Sequence, residues 1–173
     1  MSTQWYEASK PEEMVEKPWI CPAAMAFFEL ILNPEMRVLE HGCGGSTVWL
    51  AKRVKQVTAV ENRIEWLKAV EQRGRKNIKL MLWDEDHLPS LKGKFDLIFI
   101  DGEPVERRGL WLKAAPELLK SDGWIVLDNA NRSEYAAELA ELEQLAARKV
   151  GYRDSAGKHF MTNFYHVIRV EGK

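Results

Sequence analysis

Short apolar runs alternate along the chain with segments whose apolar residues recur every three or four positions. The pattern predicts buried strands alternating with amphipathic helices. After a polar stretch over residues 1–17, Pro18 and Pro22 bracket the extended Trp19-Ile20-Cys21. Ala23–Leu32 is apolar on nearly all sides and predicts a helix packed on a sheet, ending at Asn33-Pro34. Arg37–Glu40 predicts a first strand and Ser46–Val54 its helix; Gln56–Val60 predicts a second strand. Arg63–Arg73 carries Ile64, Leu67 and Val70 at helical spacing and stops at Gly74. Ile78–Leu82 and the all-apolar Leu97–Ile100 predict strands three and four, the latter central. Arg107–Leu119 predicts a helix kinked at Pro116, and Asp122-Gly123 a turn into strand five, Trp124–Leu127. A long amphipathic helix is predicted over Ser133–Lys149, ending near Gly151. Segments at Tyr152 and Phe164–Val170, separated by the turn-like Ser155-Ala156-Gly157, predict a final antiparallel pair. Regular alternation of strand and helix implies an α/β sandwich with a mainly parallel sheet.

Chemistry concentrates where the first predicted strand meets its helix, in Val38-Leu39-Glu40-His41-Gly42-Cys43-Gly44-Gly45-Ser46. A strand, a glycine turn and a helix form the first half of a nucleotide-binding unit, with backbone that a ligand can approach unobstructed by Cβ atoms. Glu61 follows at the end of the second strand, seventeen residues after Gly44, where a carboxylate can accept from both hydroxyls of a ribose. A dinucleotide fits this loop poorly. Thr47 stands where the third glycine of G-x-G-x-x-G would fall, and Glu40 is an acid just ahead of the loop, unfavourable beside a pyrophosphate. It suits a ligand carrying positive charge, such as the sulfonium and ammonium of S-adenosylmethionine. An NAD-dependent oxidoreductase is the rival enzyme class.

The loop resembles that of the class I S-adenosylmethionine-dependent methyltransferases, whose pattern is E/D-x-G-x-G-x-S/T. Met81–Pro89 (MLWDEDHLP) and Phe95–Gly102 (FDLIFIDG) are similar to that family's later motifs, so the resemblance runs in order over roughly residues 18–130. It implies a Rossmann-like three-layer sandwich, its seven-stranded, mainly parallel sheet closed by an antiparallel C-terminal strand. It also implies an arm or lid at residues 1–17 and one methyltransferase domain over 18–173. Glu40 would face the methionine moiety, and Gly42 and Gly44 would meet the cofactor through backbone. Ser46 would cap the helix or reach the cofactor carboxylate, the cap being favoured for a serine there. Glu61 would hold the ribose, Asp84 the adenine amino group, and Trp83 would cover the adenine ring.

Asp101 ends strand four beside the expected methyl donor, and Asp128 and Asn129 end strand five. This trio also resembles the magnesium-dependent catechol-type O-methyltransferases. Three oxygen ligands on adjacent strands suit a hard cation that keeps several waters and acidifies an acceptor hydroxyl. Alternatively, the two aspartates only shape the cleft or cap the turns that follow. His41, His87, His159 and His166 show no metal-ligand spacing. Of the seven tryptophans, Trp49, Trp66 and Trp111 read as core, whereas Trp5 and Trp19, with Tyr6, suit an acceptor pocket.

Composition adds bounds. The chain of 173 residues is long enough for one sizeable core, and it has no apolar run that would span a bilayer. Its N-terminus lacks the pattern of a signal peptide, which points to a cytoplasmic location. Cys21 and Cys43 make no disulfide framework, and Cys43 lies in the turn where only a small side chain fits. With net charge −1 and no basic stripe, a nucleic-acid-directed enzyme is disfavoured. The sequence thus predicts a methyltransferase acting on a small-molecule acceptor, recognised by the arm and the loops after strands four and five. A non-catalytic module that binds S-adenosylmethionine is the rival outside enzymes. Oligomeric state and acceptor identity are not set by these patterns.

Overall fold

A computed structural model describes residues 10–84, 86–153 and 161–168. Its elements are α1 (Pro22–Ile31), β1 (Arg37–His41), α2 (Gly45–Ala51), β2 (Gln56–Glu61), α3 (Ile64–Glu71) and β3 (Ile78–Leu82). They continue with β4 (Phe95–Ile100), α4 (Arg108–Leu118), β5 (Leu119–Leu127), α5 (Ala136–Leu145), β6 (Arg148–Arg153) and β7 (Met161–Ile168). The seven strands lie in the order β3-β2-β1-β4-β5-β7-β6. β1 to β5 are mutually parallel, β7 runs antiparallel to β5, and β6 antiparallel to β7. The strand order reverses between β1 and β4, which makes their carboxyl ends the crevice where open α/β sheets take ligands.

Alternation along the strands builds two cores. Val38, Val57, Ala59, Leu97, Phe99, Val126 and Phe164 face α1 and α2, meeting Ala24, Phe28, Trp49 and Leu50. Leu39, Ile98, Ile100, Ile125 and Tyr165 face the opposite layer, meeting Trp111, Leu112, Ala115 and Leu142. The same alternation carries function: Glu40 points toward α2, and His41 toward α4.

Two expectations need correction. The final helix ends at Leu145, and Arg148–Arg153 forms the edge strand β6. Helical propensity there yields to pairing with β7, which lets Val150 and Tyr152 pack against the α1 layer. Asp122-Gly123 is not a turn ahead of the fifth strand but part of it, beside a register shift opposite Phe95–Leu97. A Cβ on Gly123 would lie 2.6 Å from Leu119 Cγ, so glycine lets Leu119 fold back across the irregularity. Pro116 lies within α4, two residues before its end, where it withholds one backbone donor from the last turn. Trp5, Tyr6, His159 and the Ser155–Gly157 turn lie outside the described residues.

Candidate active site

The β1 end supplies a buried acid with one oxygen free. Glu40 is 1% exposed, and its Oε1 accepts from the Ser46 hydroxyl, while Oε2 is buried without a hydrogen-bond partner. Burial pushes this carboxyl up to about 8, with Asp101 and Glu61 adding like charge. A buried carboxylate oxygen lacking a donor is costly and calls for a cation. Ser46 therefore spends its hydroxyl on Glu40, not on capping α2; Thr47 Oγ1 instead accepts from the Gly44 amide at 2.9 Å.

Gly42 follows with φ +95°, its amide bonded to Val60 O at 2.8 Å. A Cβ here would stand 2.7 Å from Gly102 Cα, and one on Gly102 would stand 2.7 Å from the Gly42 amide nitrogen. The two glycines let the β1 and β4 loops touch backbone to backbone across the crevice. Gly44 is extended, with the Trp66 indole in ordinary contact range, 3.6 Å from where its Cβ would be. A Cβ on Gly45 would sit 1.7 Å from the Val15 carbonyl oxygen, so the polypeptide before Pro18 lies directly on the start of α2. Glu16 fastens this arm to Lys52 at 2.5 Å and to Arg73 at 3.8 Å. Trp19 beyond it is 72% exposed.

Glu61, at the β2 end, ties the loop from the other side. Its Oε2 accepts from the Cys43 amide and its Oε1 from the Arg63 amide, each at 2.9 Å. Burial raises this carboxyl as well, against those bonds. Burial also raises the Cys43 thiol, which leaves no nucleophile there. Between the β2 and β3 ends lies a cleft of about 320 Å³ lined by Asn62, Leu82, Trp83, Asp84, His87, Leu88 and Pro89. Asp84 Oδ1 accepts from the Asp86 and His87 amides at 3.3 and 3.4 Å, shaping the turn that forms its wall. Trp83 is 3% exposed, donates Nε1–H to His87 O at 2.8 Å, and stands edge-on to His41 and Trp111. His41 stacks on Trp111 at 4.7 Å, and burial near Arg108 keeps its imidazole neutral.

Asp101, Asp128 and Asn129 do converge beyond β4 and β5, around a residue the sequence patterns did not select. Arg108 is 1% exposed. Its Nε donates to Gly102 O at 2.9 Å, Nη1 to Asp128 O at 2.8 Å, and Nη2 to Asp101 O at 2.6 Å and Oδ1 at 3.2 Å. Nη1 also reaches Asn129 Oδ1 at 3.4 Å. Asp128 Oδ1 is taken by the Thr162 hydroxyl at 2.7 Å, and Tyr135 donates to Asn129 O at 2.6 Å. Burial raises both aspartates, and at Asp101 the nearby Asp128 carboxylate adds to the rise. These side chains fit magnesium poorly, because the Arg108 guanidinium already reaches Asp101 Oδ1 and Asn129 Oδ1 and the Thr162 hydroxyl takes Asp128 Oδ1. The sequence did hold a signal for Arg108. It occupies the inner stripe of α4 with Trp111, Leu112 and Ala115, an i, i+3, i+4, i+7 pattern in which a basic residue is out of place.

A family profile described as "Methyltransferase domain" matches residues 39–130, which span the glycine loop, the cleft and both aspartate-bearing strand ends. The chain belongs to this family. It is a class I S-adenosylmethionine-dependent methyltransferase. No curated protein sequence matches it. Solved structures similar to this methyltransferase include an rRNA methylase from Streptococcus thermophilus, at TM-score 0.70 and 18% identity, covering 88% of this chain and 100% of that one. An O-methyltransferase from Thermotoga maritima superposes at TM-score 0.68 with 16% identity, over 91% of this chain and 69% of that one. An O-methyltransferase from Bacillus cereus, in complex with S-adenosylhomocysteine, gives TM-score 0.67 and 18% identity over 87% and 82%. At such identities the likeness establishes the fold alone. Among the described residues no helix of the methyltransferase is long and apolar enough to cross a membrane.

Proposed function

We propose that this methyltransferase holds S-adenosylmethionine across the β1/β4 crevice and methylates a small-molecule acceptor without a metal. The observation that carries the reading is the partnerless, buried Oε2 of Glu40 beside the glycine loop. That oxygen suits the ligand's ammonium, and at Gly42 and Gly102 the loops present backbone without a Cβ toward the crevice. Glu61 accepts from the ribose hydroxyls with the lone pairs its two amides leave. The cleft walled by Leu82, Trp83 and Leu88 takes the adenine, with Asp84 at its polar rim. Trp83 serves there as a buried wall, held by its bond to His87 and its edge-to-face contacts with His41 and Trp111.

The bound cofactor supplies a methyl group already activated on sulfur, so the protein has only to align donor and acceptor and, where the acceptor needs it, remove a proton. Asp101 is the group best placed to take that proton. Its side chain is 28% exposed, and its carboxyl is raised toward the range in which it can act as a base. The acids Glu40, Glu61, Asp101, Glu103 and Asp128 gather at the strand ends. Of the cations nearby, Arg107 pairs with Asp86, Arg108 with Asp101 and Arg63 with Glu65. A polyanionic acceptor needs free Lys and Arg at this rim; a small neutral or cationic one does not.

Calorimetry with S-adenosylmethionine and NADH, followed by label transfer to a small-molecule panel and to tRNA and rRNA, tests the reading. Binding of S-adenosylmethionine with transfer to small acceptors is expected. NADH binding in its place overturns the cofactor, and transfer only to RNA overturns the acceptor class.

A further inference from the structure

We propose that Arg108 is the resident cation of this active site, its guanidinium standing where a divalent metal would otherwise bind and positioning Asp101, Asp128 and Asn129. The geometry is independent of the acceptor; only the statement that these groups flank the transferable methyl rests on the function proposed above. One planar fork bonds the backbone carbonyls of Asp101, Gly102 and Asp128, and so joins the loops after β4 and β5. The same fork reaches Asp101 Oδ1 and, at 3.4 Å, Asn129 Oδ1. A metal shared by these side chains would place its charge beside a guanidinium already within hydrogen-bond range of Asp101 Oδ1 and Asn129 Oδ1.

The neighbourhood is built for one fixed cation. Asp128 has given Oδ1 to Thr162, and Asn129 is held at φ +54° with its carbonyl bonded to Tyr135. Asp101, Asp128 and Glu103 surround the guanidinium, with Glu103 Oε1 at 3.9 Å. Arginine suits the role because its charge is permanent and its five donors are rigidly arranged; lysine would keep the charge but not the fork. Arg108 is therefore a positioning residue. Its removal leaves buried acids without a counter-charge, whose remaining oxygens become free to take a metal.

The test titrates Mn2+ into the full chain, read by calorimetry and by the Mn2+ spin-resonance signal, with S-adenosylhomocysteine absent and present. The wild type and Arg108→Lys are expected to show no saturable Mn2+ binding, because both keep a cation at the site. Arg108→Met is expected to gain a Mn2+ site that Asp101→Asn then removes. A purely structural arginine would leave the Lys and Met variants alike toward Mn2+, and that result overturns the proposal. So does saturable Mn2+ binding by the wild type that Asp101→Asn abolishes. If Arg108→Met does not fold, Arg108→Gln, which keeps a polar side chain but no charge, takes its place in the same comparison with Arg108→Lys. Failure of the wild type to bind S-adenosylhomocysteine would count against the proposed cofactor site and leave the Mn2+ result standing.

Discussion

Glu40 joins the chain's local pattern to its chemistry, since a carboxyl raised to about 8 by burial makes ligand binding a proton-linked event. A cation selects the ionised form, so below about pH 8 binding must expel a proton. Affinity should rise with pH and level off above that value, with proton release visible in calorimetry as a dependence on buffer ionisation heat. Glu40→Gln should remove that dependence and weaken S-adenosylmethionine by about tenfold or more, the scale of one lost charge-assisted bond. The free protein should behave in the opposite sense. A carboxyl raised in the folded state binds its proton more tightly there, so its contribution to stability is present at low pH and is lost as pH climbs toward 8. One proton held by the folded chain alone changes stability by about 1.4 kcal/mol for each pH unit crossed. His41, held neutral by burial, opposes this below 6.5, so the clear window is pH 6.5–8. Melting temperatures there should fall for the wild type and less for Glu40→Gln. Glu61 carries two backbone amides as well as its proposed ribose, so Glu61→Ala should lower both affinity and melting temperature. An unchanged melting temperature would show that the loop does not depend on those bonds. The positions of Glu40, Gly42 and Glu61 at the strand ends and in the glycine turn were legible because they follow from local strand-turn-helix geometry. Arg108 was not, because its partners come from positions 101, 102, 128 and 129, which only the folded sheet brings together.

Among the elements, β1, β2 and β4 could be read from sequence within a residue or two because apolar runs buried on both faces have few alternatives, and the edge strand β3 because Ile78, Leu80 and Met81 form a short apolar run. The α5–β6 boundary could not. Ser133–Lys149 has helical composition throughout, and only the exposed edge of β7 recruits Arg148–Arg153 into the sheet. The arm is an intermediate case. The aromatic residues set in its polar sequence suggest a lid, and its described part rests on α2 through the Val15 carbonyl, leaving no room for a Cβ at Gly45. Gly45→Ala should therefore displace the arm, and hydrogen exchange at residues 13–17 should speed up while the sheet amides stay protected. If the arm works as a lid, deleting residues 1–17 should leave cofactor affinity largely intact and raise the acceptor KM. A truncated chain that does not fold would make the arm structural instead.

Over the whole molecule, the β1/β4 reversal gathers five acids at one edge of the sheet, each buried enough to resist ionisation or tied to a cation. Such an edge should bind RNA weakly and with little salt dependence, a result that filter binding across a salt series would check. The layered architecture was visible in the periodicity of the chain, but the placement of charge was not. It depends on which strand ends are neighbours, and β1 and β4 are separated by more than fifty residues. The indole of Trp66, resting against Gly44, has a practical consequence. Trp49, Trp83 and Trp111 are sealed in the interior, whereas Trp66 is only partly covered and borders the glycine loop. The protein thus contains its own optical probe. Titration with S-adenosylhomocysteine should shift or quench tryptophan emission, and Trp66→Phe should silence most of that change, so that occupancy can be followed by light before any acceptor has been identified.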